Sequence, residues 1–227
     1  LLDVPRTPNA STVRLEKAAG LDVQDEAEST PEGVCAREDH FVILRGATWA
    51  DYQRLRLLRG EEAVPRLTYL EGTLQLMTPS MDHESIKSVI GRLIEVWCLE
   101  FGVDFSPVGS WTIEDPAVAR GVEPDECYVF RPTTGATRPD LTIEVVWTSG
   151  GVDKLQVYAE LGVREVWFWR RGGITPHVLR PGGYVAVERS ECLAALDLGL
   201  LASFVARRDA SVAATIRAYR EALRGLG

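Results

Sequence analysis

Residues 121–169 read GVEPDECYVFRPTTGATRPDLTIEVVWTSGGVDKLQVYAELGVREVWFW, and this stretch decides the fold. Two apolar runs, 141–147 and 165–169, are short and rich in Val, Ile and Trp, as strands buried on both faces are. Between them, 152–161 has helical spacing, with Leu155, Tyr158 and Ala159 inward and Gly162 at its end. Strand, helix, strand at this spacing predicts two parallel strands joined by a right-handed crossover. The period of two puts Thr142, Glu144 and Val146 on one face of the first strand, and Ile143 and Val145 on the other. A carboxylate in such a run needs a partner, because burying an unpaired charge is costly.

Two more ionisable residues stand close in sequence. Asp125 follows Pro124, and Lys154 opens the helix after the Glu144 strand. Only Lys17, Lys87 and Lys154 are lysines among 25 basic residues, so arginine is the default cation of this chain. A lysine near two carboxylates therefore stands out, because lysine is a point charge whose pKa is readily tuned. Two carboxylates and a lysine suit metal-assisted hydrolysis of a phosphodiester. A hard cation such as Mg²⁺ or Mn²⁺ takes oxygen ligands. Asp125 and Glu144 offer two, and the main-chain carbonyl of Val145 a third. Lys154 would hold or deprotonate the attacking water and offset the developing negative charge. Asp140, beside Pro139, is a second Pro-Asp pair, but it lies about two pleats before Glu144 and is left out of the site. Tyr158, one turn after Lys154, is read as core.

Upstream, Thr48 caps a helix over WADYQRLRLLRG, and 67–77 forms a hairpin turning at Glu71-Gly72. Asp82 is the expected cap of a long helix, HESIKSVIGRLIEVWCLEFG, ending at Gly102. Glu84 falls in its first turn, where an acid complements the helix dipole. Residues 105–113 read as strand with turns, and 122–130 as one strand carrying Asp125. Downstream, 174–179 and 184–187 form a hairpin, and 196–204 and 211–226 are helices packed on the outside. Residues 1–38 are acidic and polar and read as a flexible leader, with a short helix at 12–19. The expected organisation is that leader followed by a single domain over 39–227 with a C-terminal helical extension.

Composition narrows the class. With 45% hydrophobic and 26% charged residues, the chain has enough apolar material for a core. No apolar run reaches the ~20 residues that span a bilayer, and the start lacks a signal-peptide pattern. Cys35, Cys98, Cys127 and Cys192 are scattered, as are His40, His83 and His177, so neither a zinc site nor a disulfide framework is expected. The expected setting is a reducing cytoplasm. A net charge of −8 argues against a broad nucleic-acid-binding surface but leaves room for a local basic cleft.

The order Pro124-Asp125, then Glu144, resembles the PD-(D/E)XK nuclease superfamily. The lysine expected two residues after the acid is missing, since that position is Val146, and Lys154 stands in its place. Over a longer span, TWADYQRL, TYLEGTLQLMTPS, DHESIK, VEPDECYVF and PDLTIEVVWTSGGVDKLQVYAELGVREVWFW resemble the Uma-type endonuclease family, across residues 41–190. The resemblance implies an α/β fold with a restriction-endonuclease-like core, a central mixed β-sheet flanked by helices. It implies a catalytic set of Asp125, Glu144 and Lys154, with Glu84 as the helical acid. The resemblance does not itself imply a substrate; the expected cofactor is Mg²⁺ or Mn²⁺ and the expected partner DNA, with a homodimer possible and no membrane. The rival reading is a non-catalytic binding or assembly protein on the same fold, with a decayed site.

Overall fold

The computed structural model describes residues 22–25 (backbone only), 38–146, 151–207 and 209–225. In chain order the elements are β1 (Asp22–Asp25), β2 (His40–Arg45), α1 (Trp49–Arg59), β3 (Arg66–Leu70), β4 (Thr73–Thr78) and α2 (Met81–Phe101). Next come β5 (Ser106–Pro107), β6 (Ile113–Asp115), β7 (Arg120–Val122), β8 (Glu126–Val129), β9 (Leu141–Val145) and α3 (Lys154–Glu160). The chain continues through β10 (Glu165–Arg170), β11 (Gly173–Arg180), β12 (Gly183–Ala186), α4 (Leu198–Val205) and α5 (Val212–Arg224).

Where one central sheet was expected, two six-stranded sheets form. The first has the order β1-β2-β4-β3-β7-β6, with every pair antiparallel. The second has the order β12-β11-β10-β9-β8-β5 and is mixed, since β9 and β10 run parallel and its other pairs antiparallel. The parallel pair flanks α3, as the strand-helix-strand pattern predicts.

The segment expected as one strand over 122–130 is split. Arg120–Val122 pairs in the first sheet and Glu126–Val129 in the second, so Glu123-Pro124-Asp125 is the link between the sheets. Proline explains the break, because it has no N–H to continue a ladder. Apolar residues stand on both sides of it, Val122 before and Cys127, Tyr128 and Val129 after, which is why the segment reads as a single strand.

The second sheet is packed on both faces. Leu141, Ile143 and Val145 of β9 join Ile90, Leu93, Ile94 and Trp97 of α2 in the largest apolar cluster. The C-terminal helices belong to this core, contrary to the expected outer placement: Leu201, Phe204, Tyr219 and Leu223 are buried in the same cluster. The opposite face holds α3, whose Val157 and Tyr158 pack with Leu70 and Val122 of the first sheet and with Val166 and Phe168 of β10. A third cluster, around Tyr52, Leu67, Tyr69 and Leu74, fixes α1 to the first sheet.

Local signals set most boundaries. Thr48 and Asp51 form a reciprocal capping box at α1. Glu71 and Gly72 take φ values of 45° and 83°, the left-handed pair of a two-residue hairpin turn. The cap of α2 is Ser80, whose hydroxyl accepts from the His83 N–H at 3.2 Å, and not Asp82 as expected. Gly102 ends α2 in the left-handed conformation. Of the expected leader, 22–25 forms the edge strand beside β2, and the expected helix at 12–19 lies outside the described residues. Among the described residues no helix is long and apolar enough to cross a membrane. Cys98, Cys127 and Cys192 are free thiols.

Candidate active site

The register of β8 and β9 positions the two acids. Glu126 pairs with Ile143 across this antiparallel ladder. One step further, the same register sets Asp125 opposite Glu144, with both side chains on the face that meets α3. One more step sets Pro124 opposite Val145. Proline has no N–H, so the opposing strand offers the Val145 carbonyl no donor. The Val145 N–H itself donates to Asp125 Oδ2 at 2.7 Å.

Both acids are sequestered, Asp125 at 0% and Glu144 at 1% relative exposure. Asp125 is enclosed by cations. Arg66 Nη1 donates to its Oδ1, and His83 Nε2 lies 2.9 Å from Oδ2. Burial alone would push the Asp125 carboxyl up. The His83 hydrogen bond and the charges of Lys154, Arg66 and His83 outweigh this and hold it well below the usual carboxylate range. Glu144 goes the other way: burial raises its pKa and the Asp125 charge adds to this, with Lys154 and Tyr158 opposing. Two adjacent carboxylates thus separate their titrations.

Lys154 is the first residue of α3, placed there by Asp153, whose side chain accepts from the Leu155 and Gln156 N–H groups. Its Nζ lies 2.6 Å from Glu144 Oε2, with the side chain 15% exposed. Burial would lower its pKa, but Glu144 and Asp125 raise it, so at neutral pH Lys154 is a cation. Tyr158, read from sequence as core, is both: it sits fully buried in the α3 cluster, and its hydroxyl donates to Glu144 Oε1. Glu84 reaches the site at one remove, through Arg66 Nη2 at 2.5 Å, and its other oxygen binds Lys87 Nζ at 2.6 Å. Asp140 is held elsewhere, accepting from the Phe130 N–H and from Arg131.

Sequence reasoning missed Arg66, His83 and Asp39. Arg66 opens β3 and bridges Asp125 to Glu84. His83 is clamped between Asp125 and Asp39, with Nδ1 2.8 Å from Asp39 Oδ2. Asp39 in turn accepts the Ser80 N–H at 2.8 Å. Burial would lower the His83 pKa, but the hydrogen bonds to Asp125 and Asp39 raise it to about 9 from 6.5. A histidine raised on folding stabilises while the folded form holds the extra proton. That contribution is complete below about pH 6.5 and is lost as pH rises through about 9. Urea unfolding should therefore show stability falling across this window by on the order of 3 kcal/mol. His83→Asn should flatten the fall, and an equally steep fall in that variant would assign it to other groups.

A cleft of about 630 Å³ opens onto these groups. Phe41, Gln75 and Met77 of the first sheet line one wall, and Glu144, Val145, Lys154, Phe168, Arg170 and Arg171 line the other. Gly151 brings the walls close: its φ is 105°, and a Cβ there would fall 2.3 Å from Gln75 Oε1. That glutamine oxygen accepts the Val152 N–H at 2.9 Å and fixes the approach to α3.

Among the described residues no three His, Cys, Asp or Glu side chains gather as a metal-binding group. The oxygen groups this site offers are the Asp125 and Glu144 carboxylates, with the Val145 carbonyl next to Glu144 in the chain. Asp125 Oδ1, Glu144 Oε1 and Glu144 Oε2 each carry one side-chain donor, and a carboxylate oxygen has two acceptor sites. The donor set is therefore all hard oxygen with acceptor capacity left, which suits a divalent cation completed by water.

The arrangement defines an acidic dyad with a lysine at a cleft between two sheets. Residues 49–207 match the family described as "Uma2: Putative restriction endonuclease", and the chain belongs to that family. A similar solved structure is that of "a putative nuclease belonging to DUF820" from Anabaena variabilis ATCC 29413. It is 16% identical, with a TM-score of 0.47, and the match covers 66% of this chain and 96% of that one. No curated protein matches the sequence.

Proposed function

We propose that the protein is a divalent-metal-dependent endonuclease that hydrolyses phosphodiester bonds of DNA, using a restriction-endonuclease-like unit built from β8, β9, α3 and β10. The observation that carries this reading is the placing of buried Asp125 against the end of β9, where it accepts the Val145 N–H at 2.7 Å, with the Lys154 ammonium 2.6 Å from Glu144. Family membership agrees with it.

Asp125, Glu144 and the Val145 carbonyl would hold Mg²⁺ or Mn²⁺. Bound there, the cation would acidify a water and offset charge on the phosphoryl oxygens. The Tyr158 hydroxyl and Lys154 orient Glu144. His83, the Val145 N–H and Arg66 do the same for Asp125. Lys154, being protonated, would hydrogen-bond the attacking water and stabilise the anionic transition state. This replaces the base role considered from sequence, because an ammonium has no lone pair to take a proton.

One observation favours the second reading, a non-catalytic binding or assembly protein. The carboxylates already have internal cations, with Arg66 and His83 on Asp125 and Lys154 on Glu144. Plasmid nicking separates the two. The nuclease reading expects cleavage with Mg²⁺ or Mn²⁺, none in EDTA, and loss of at least about 10²-fold in Glu144→Ala. A wild type that nicks no DNA under any of these conditions favours the non-catalytic reading. Nicking retained in Glu144→Ala places the activity outside this site.

A further inference from the structure

Arg170 and Arg171 stand apart from the other charges of the cleft. Of the acids and bases that line it, Asp39 is paired with His83, Glu144 with Lys154, and Asp153 caps α3. Arg170 and Arg171 line the same cleft, both exposed, and neither forms an ion pair with a described residue. In a chain of net charge −8, Arg170 and Arg171 are thus two exposed cations at this cleft that no described acid pairs.

The register gives the pair its position. Phe168 lies beside Glu144 on the parallel strand, and Arg170 follows two residues later on the same face. Its guanidinium rests over the Phe168 ring, 4.8 Å from the centroid, which holds it along the cleft wall. Arg170 is thus about 7 Å beyond the level of Glu144, at the C-terminal end of the parallel pair.

Arg171 carries a second signal. It forms the two-residue turn between β10 and β11 with Gly172, and its φ is 50°. Asparagine, aspartate or glycine is the usual first residue of such a turn, because a longer L side chain is strained there. The turn does not call for arginine, and this one places its charge beside Arg170 in the lining of the cleft.

We infer that Arg170 and Arg171 form a phosphate-binding subsite that grips the DNA backbone beside the scissile phosphodiester. This rests on the nuclease reading and assigns the substrate contact that reading lacks. Guanidinium groups suit the task, because their planar fork matches phosphate oxygens in pairs. Phe168 restricts Arg170, so less of its side-chain freedom is lost on binding.

The test is anisotropy of a fluorescein-labelled DNA duplex in EDTA, so that binding is read without cleavage, over a series of salt concentrations. The proteins are wild type, Arg170→Ala, Arg171→Asn, the double variant and Arg217→Ala. Arg217 is an exposed arginine on α5 and removes the same bulk charge. Each cleft variant is expected to lose about tenfold in affinity. Each should also lower the slope of log affinity against log salt by about 0.9, so the double variant loses about twice that. Arg171→Asn should be at least as heat-stable as wild type, because asparagine tolerates the turn, so its loss of affinity is not a loss of fold. An unchanged slope in the double variant, or an equal loss in Arg217→Ala, overturns the subsite. If wild type nicks plasmid at the same time, the nuclease reading survives that result. A wild type that binds no duplex overturns the subsite together with the DNA reading.

Discussion

Lys154→Ala is expected to abolish metal-dependent nicking, with a loss on the order of 10²–10⁴-fold, the usual worth of a positioned proton-handling or charge-offsetting group. The ammonium lies against Glu144 at the end of β9, where the site opens to the cleft. Val146, two residues after Glu144, has no charge to supply. Lys154→Arg keeps the charge but spreads it over a planar fork that cannot occupy the same point, and incomplete rescue is expected. Lys154→Ala also leaves Glu144 buried beside Asp125 with only the Tyr158 hydroxyl, so its carboxyl should hold a proton more tightly. Nicking should be measured with Mg²⁺ and with Mn²⁺, alongside unfolding, to separate rate from fold. Wild-type rates in both Lys154 variants would remove the residue from the site.

The largest effect on stability is expected from Asp125→Ala. Removing this carboxylate leaves Arg66 and His83 buried beside each other without their common anion. Breaking a buried ion pair from one side costs about 3–5 kcal/mol, because the remaining charge has lost its compensation. Asp125→Asn should cost less, since an amide oxygen still accepts from the Val145 N–H. Urea unfolding at neutral pH measures both. A cost below about 1 kcal/mol in Asp125→Ala would mean that the two cations find water once the acid is gone.

The acids and the lysine were legible in the sequence for specific reasons. Glu144 interrupts an apolar run, Asp125 follows a proline, and Lys154 is a rare residue type in this chain. Their partners left no such trace. Arg66 is one arginine among many, and it meets Asp125 across 59 residues. Asp39 meets His83 across 44 residues, and neither sits in a pattern that periodicity can read. Buried acids were not all alike either. Glu165 also lies in an apolar strand, at 0% exposure, yet it accepts from the Trp167 indole and from the Glu191 and Cys192 N–H groups as a structural anchor. Only three-dimensional neighbours separate it from Glu144. The division into two sheets was hidden for a related reason. Pro124 breaks the strand ladder, but apolar residues lie on both sides of it, Val122 before and Cys127, Tyr128 and Val129 after.

The link Glu123-Pro124-Asp125 gives the molecule a built-in gauge of occupancy. Glu123 is anchored by Arg59 and by the Leu67 N–H in the first sheet, while Asp125 is bound to the Val145 N–H in the second. The seam that joins the two halves is therefore also the place where a cation would dock. Any ligand that prefers the assembled seam must raise the melting temperature of the whole chain. At a concentration 100 times its Kd the gain is about 2.7 kcal/mol. A panel of divalent salts and oligonucleotides, scored by melting alone, would thus rank candidate ligands before any product is sought.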